Sequence, residues 1–378
     1  MEILKKTFLV VFVLISTVAL LTADFPLGFA QPENTWESKA PMLTARSGFG
    51  LAVVNGKIYA IGGYNKNQTG FSDVNEMYDP ATDTWTVKTP MPTQRVSFAI
   101  AVYKDKVYVF GGQILQAGRR VVINVTEVYD PASDSWTTKT SMPHLGEDFA
   151  ANVVVEDKIY VISTYNDVYE PATDTWTTKT AIPEPVAHSA NSVLDNKIYV
   201  MSGTHYGNEP QYYVPINSTQ IYDPKTDTWS SGAPILTGIA SPAAVSTTGV
   251  SAPKAIYVVG GLTLTEDQNG GFIYHPQKLI QVYSPENDSW SLGAPMPTAR
   301  YALAVAELND TLYAMGGSDA RTAPDLASNE LYFPLGFGSI RSQGVPLATI
   351  IGAVTVIVVV GAIIAITVLI HKRRNGKT

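Results

Sequence analysis

An all-β fold arranged as a six-bladed propeller is what this 378-residue sequence predicts, on three observations. Its six tryptophans (Trp36, Trp85, Trp136, Trp176, Trp229 and Trp290) recur at intervals of 49, 51, 40, 53 and 61 residues. Five of them lie seven residues after a tyrosine (Tyr78, Tyr129, Tyr169, Tyr222 and Tyr283), across the segments YDPATDTW, YDPASDSW, YEPATDTW, YDPKTDTW and YSPENDSW. The sixth copy is split between the ends, because Trp36 has no such segment before it and Tyr332 has no tryptophan after it. Self-similarity at this period marks a repeat architecture, and a split copy marks a ring rather than an open stack with polar caps.

Each repeat resolves into four short strands. After each tryptophan comes an alternating apolar segment and a tight turn (NGK, KDK, EDK, DNK or NDT), then a second strand ending in small residues, as in GLAVV…KIYAIGG, AIAVY…KVYVFGG and ALAVA…TLYAMGG. Tight two-residue turns between alternating runs predict hairpins. The third strand carries the tyrosine, the Pro/Asp/Thr turn follows, and the tryptophan opens the fourth. The N-terminal strand then completes the last blade, which removes open sheet edges.

Length varies in one place. From the first small residue after strand two to the next tyrosine the spacing is 16, 18, 6, 20, 23 and 16 residues. In an antiparallel meander these second-to-third loops share a face with the blade-to-blade connections. The long ones, 64–75, 113–125, 204–218 and 262–278, therefore gather on one side of the disc, and loop variation confined to one face predicts binding there. Their aromatics Tyr64, Phe71, Tyr206, Tyr212, Tyr213, Phe272 and Tyr274 fit stacking on sugars or gripping a peptide, or else they pack the loops down.

The double glycines (Gly62–Gly63, Gly111–Gly112, Gly316–Gly317), the Tyr-Asp-Pro and the tryptophan resemble the kelch family over about residues 31–335. The likeness implies a six-bladed kelch-type propeller and a recognition role. It departs at Ser163-Thr164 and Ser202-Gly203, where the glycine pairs are lost.

The flanks predict export and anchoring. Residues 1–30 read as a signal peptide, with Lys5 and Lys6, an apolar run from Phe8 to Leu21 and cleavage after Ala23 or Ala30. Residues 336–346 form a tether. Residues 347–370 carry no charge over 24 positions, enough for a helix to cross a hydrocarbon core of roughly 30 Å. The basic tail 371–378 (His371, Lys372, Arg373, Arg374, Lys377) stays cytoplasmic, giving a single-pass type I cell-membrane protein with the propeller outside. The exported part is acidic, at −11, and disfavours nucleic acid. Cysteine is absent, which removes disulfides, thiolate nucleophiles and Cys-ligated zinc. It also removes the crosslinked cofactor of galactose-oxidase chemistry on a similar propeller.

Candidate site residues follow from blade asymmetry. Arg46, Arg95 and Arg300 each precede their glycine pair by 16 residues. They would either attract carboxylates at a channel mouth or bond neighbouring blades, and the second is favoured. Glu147 takes the arginine's place in blade 3, beside Asp148, and His188 lies two places past it in blade 4. No catalytic residue, metal site or cofactor is assigned, since His205 and His275 have no ligand spacing and the repeated acidic turns are Asx turns. Asn67, Asn124, Asn217, Asn287 and Asn309 are N-glycosylation sequons. The expected function is cell-surface recognition or adhesion, with an extracellular protein or glycan as partner. One rival is an exported enzyme resembling sialic-acid mutarotases, with an anionic sugar held by Arg46, Arg95, Arg300, Glu147 and His188. Another is a structural envelope protein.

Overall fold

A computed structural model describes residues 32–66, 70–146, 151–205, 214–268, 271–319 and 324–338. The predicted signal peptide and membrane span, together with most of the tether, lie outside these residues.

The described chain forms six four-stranded antiparallel sheets, and no α-helix occurs among the described residues. With strands lettered a to d from the axis outward, the a strands are Gly50–Val54, Ala99–Tyr103, Ala151–Val155, Ala190–Leu194, Ala243–Ser246 and Ala304–Leu308. Each packs on the a strand of both neighbouring blades, the first on the last included, so the ring is closed. Blade 6 is completed as predicted. Thr35–Lys39 is its d strand, paired antiparallel with Asn329–Phe333 in the register Trp36↔Tyr332, which every other blade repeats between its tyrosine and tryptophan.

The recurrent Tyr…Asp-x-Trp segment forms a clasp between blades. Each tyrosine hydroxyl donates to the aspartate five residues on, Tyr78 to Asp83 at 2.6 Å for example. That same carboxylate oxygen accepts a backbone N–H of the preceding blade, from Ala40, Thr89, Thr140, Thr180 or Ala233. The tryptophan indole N–H then donates to the carbonyl of that same residue. In blade 6 Asn34 replaces the aspartate, taking the Tyr332 hydroxyl and the Ala294 N–H, while Trp36 donates to Ala294 O. All six acceptor residues hold φ between 44° and 55°, a left-handed turn conformation that Asp and Asn tolerate. Buried apolar clusters, each shared by two successive blades, fill the seams behind the clasps.

The glycine pairs are set by space. Gly63 sits at φ 100°, where an added Cβ would lie 2.6 Å from Phe49 Cβ. At Ser202 the first glycine is replaced at φ 58°, and the hydroxyl is used: its one proton lies between the Ile216 and Ile239 carbonyl oxygens, and its oxygen accepts the Ile239 N–H.

Candidate functional site: the long-loop face and the central channel

The variable b–c loops do lie on one face. Three of them form two-stranded hairpins, Tyr64–Asn65 with Gly70–Phe71, Gln113–Gln116 with Arg119–Val122, and Leu262–Glu266 with Phe272–Pro276. In the fourth, Thr204–His205 pairs back onto Val186–Ala187. Seven of the eleven exposed large apolar side chains among the described residues stand on this face: Leu43, Leu115, Leu145, Tyr165, Val214, Leu236 and Ile273. The loop aromatics behave differently. Phe71 is buried, edge-on to a half-buried Tyr64 at 6.1 Å and within 5.6 Å of the Arg120 guanidinium, so this pair packs its loop down. Phe272 and Tyr274 are half-buried within their hairpin. Tyr206, Tyr212 and Tyr213 lie outside the described residues, as do Glu147 and Asp148.

The three arginines stand neither at a channel mouth nor, as the favoured structural reading expects, bonded to neighbouring blades: their guanidinium bonds stay within their own blade. Arg46, Arg95 and Arg300 are fully buried. Each donates to a buried glutamate on its own c strand: Glu76 at 2.8 Å, Glu127 at 2.5 Å and Glu330 at 2.7 Å. Arg46 also bonds the carbonyls of Ala60, Gly62 and Val74, and Arg95 those of Gly111 and Val125. Burial pulls each guanidinium's pKa down and the paired glutamate opposes it. These cations are consumed by structure and offer nothing to a sugar carboxylate. The blades lacking the arginine explain why. Blades 4 and 5 put buried Val186 and Ile239 there, and their c strands carry Gln220 and Gln281 in place of glutamate. Those amides bond the backbone N–H and C=O of Glu184 and Thr237. Charge is lost from both partners together, as the cost of a lone buried ion requires. The sequence signal is the residue two before each tyrosine (Glu76, Glu127, Asp167, Gln220, Gln281, Glu330), which sequence reasoning passed over. Asp167 pairs instead with His144, whose ring stacks on Tyr165 at 3.7 Å.

His188 belongs to the rim of the channel on this face. Gly48, Ser97, His188, Ser241 and Ala302 all sit at φ between 50° and 58°. Their backbones hydrogen-bond from blade to blade: Ser97 to Gly48, Gly48 to Ala302, Ala302 to Ser241 and Ser241 to His188. The imidazole itself is half-buried.

The channel inside this rim encloses about 490 Å³. The a strands point two rings into it. The first holds Leu51, Ile100, Asn152, Asn191, Ala244 and Val305, and the second Val53, Val102, Val154, Val193, Ser246 and Glu307. The described lining contains one carboxylate and no cation.

A family model described as the Attractin/LZTR1 beta-propeller matches residues 58–327. The chain belongs to this kelch-repeat β-propeller family. The kelch propeller is 29% identical to Kelch-like protein 35 of Mus musculus over 50% of this chain and 31% of that protein. It is 28% identical to Beta-scruin of Limulus polyphemus over 57% of this chain and 24% of that one. It thus spans less than a third of these relatives' length. The solved structure of YjhT superposes with a TM-score of 0.65 at 18% identity, covering 76% of this chain and 95% of that one, and so shares the fold.

Of the sequons, Asn217, Asn287 and Asn309 are exposed, Asn67 lies outside the described residues, and the Asn124 amide nitrogen is spent on Met142 O at 2.8 Å.

Proposed function

We propose that the kelch propeller is a cell-surface recognition module that binds an extracellular protein through its long-loop face. The observation that carries this is the polarity of the disc. Exposed leucines and variable hairpins crowd one face, whereas both ends of the described chain leave from the other. Thr35 opens its strand and Phe333 ends its own on the turn face. There Gly336 N bonds Glu33 and Gly338 N bonds Ser251 O. With residues 347–370 in a membrane, the turn face looks toward the bilayer and the long-loop face toward the exterior. The exposed groups described on this face favour protein over glycan: six of the seven are aliphatic, the exception Tyr165 is stacked on His144, and Tyr64 and Phe71 pack inward.

The test reconstitutes the full chain in bead-supported bilayers and scores attachment to cells of the source organism before and after protease shaving. Attachment that is lost on shaving, lost in Leu115→Asp plus Leu236→Asp, and kept in the outer-strand control Leu292→Asp supports the reading. Attachment that survives shaving but not deglycosylation overturns it in favour of a glycan. Indifference to the long-loop substitutions overturns the face assignment.

A further inference from the structure

We propose that the central channel is a second binding site, taking a cation on an apolar stem (an alkylammonium or alkylguanidinium group) that pairs with Glu307. This site is separate from the long-loop face and does not depend on it. Glu307 is the one charged side chain in the described lining, and it makes no ion pair among the described residues. Its Oε1 accepts the Asp310 N–H at 2.6 Å, while Oε2 takes no hydrogen bond among the described residues. Turn capping does not call for a carboxylate here, because blades 1 to 4 place Val53, Val102, Val154 and Val193 at the same position and still form their a–b turns.

The surroundings favour a cation with a hydrocarbon body. Those four valines form the wall beside and across from the carboxylate. Above them Asn191 Nδ2 donates to Asn152 Oδ1 and Asn152 N to Asn191 Oδ1, each at 3.4 Å, which leaves each amide oxygen a second lone pair for a donor. The a–b turns around the mouth on the turn face mix both signs, with Asp105, Glu156, Asp157 and Asp195 among Lys57, Lys104, Lys106, Lys158, Lys197 and Lys254, so the preference for a cation comes from the wall inside and not from the rim. A low-dielectric tube with a single carboxylate on its wall favours a cation over a neutral group of the same shape. An anion would meet no positive group inside. Burial raises the Glu307 pKa, opposed by the Asp310 N–H, and an arriving cation reverses that shift. Asp310 is the charged neighbour, its own carboxylate turned away onto the N–H groups of Thr248, Val250, Ser251 and Ala252; the packed strands Gly50–Val54, Ala243–Ser246 and Thr311–Met315 carry no charge.

The experiment titrates the full chain in nanodiscs, against empty nanodiscs, with butylguanidinium and with its neutral isostere butylurea. The expected result is one site for butylguanidinium, weakened roughly tenfold to a hundredfold in butylurea and in Glu307→Gln, the size of one charge-assisted contact. Affinity also falls as pH is lowered through the raised Glu307 pKa. Val154→Phe, across the ring from Glu307, fills the channel without touching the carboxylate and abolishes binding even if Glu307→Gln fails to fold. Equal affinity for butylurea, or unaltered binding in Val154→Phe, overturns the proposal. N-acetylarginine amide distinguishes the sources: binding equal to butylguanidinium admits an arginine presented on a polypeptide, whereas binding of the small cation alone restricts the site to a diffusible one.

Discussion

Arg95 and Glu127 are worth more as a pair than either is alone. Removing the arginine strands a carboxylate inside the blade, and breaking a buried pair in this way costs about 3–5 kcal/mol. Arg95→Ile should therefore destabilise by that order in denaturant melts. Arg95→Ile with Glu127→Gln, which reproduces the pairing of blades 4 and 5, should recover most of the loss; a double variant as unstable as the single one would refute the compensation. The clasp aspartates give a second test. The Tyr78, Tyr129 and Tyr222 hydroxyls, with backbone N–H groups, hold Asp83, Asp134 and Asp227 below the ordinary carboxylate range. A pKa lower in the folded than in the unfolded state means stability that is present at neutral pH and lost as pH falls through the folded value. Asp134→Asn copies Asn34 of blade 6, so the propeller should still fold while its melting temperature falls less steeply with acid. The same residues show where sequence reading stops. The spacing of Tyr, Asp and Trp was visible; that one oxygen serves both a tyrosine and the next blade was not, because that partner lies some 45 residues away in the chain.

Among the strands, Thr35–Lys39 stands apart because it closes the ring from the far end of the chain. Deleting residues up to Lys39 leaves Asn329–Phe333 as an open, apolar edge, and unpaired edges template aggregation. Such a truncation should be recovered as oligomers in size-exclusion chromatography, while Trp36→Phe, which loses only the bond to Ala294 O, should remain monodisperse. This closure was legible because a split repeat has no other use in a ring. The Thr247–Ala255 loop was legible only as five extra residues in blade 5. Its purpose needs coordinates: Asp310 of blade 6 gathers the Thr248, Val250, Ser251 and Ala252 N–H groups. Burial works against that carboxylate, yet these donors hold its pKa below the usual range.

At the scale of the whole disc, the two faces differ in charge as well as in shape. The c–d turns alone bring ten carboxylates and one lysine to the turn face. The absence of cysteine allows the orientation to be measured, since single labels at Leu115→Cys and Asn309→Cys report on opposite faces. In reconstituted bilayers with a headgroup quencher, the Asn309 label should be quenched and the Leu115 label should not; the opposite pattern would invert the disc. The gathering of long loops on one face was readable from six spacings. Which side chains those loops expose was not, because Phe71 and Leu115 have similar hydropathy and only packing separates them.

The central position of Asn329–Phe333 in blade 6 has a mechanical side. With the C-terminal segment fixed and a partner pulling on the opposite face, tension enters the disc through this strand, along its own axis. Thr311–Met315 grips it on one side and Thr35–Lys39 on the other. Such a load must shear two hydrogen-bonded ladders at once; it cannot peel one open bond by bond. The strand donated by the N-terminus thus doubles the grip where the pull is applied, a placement suited to holding under tension.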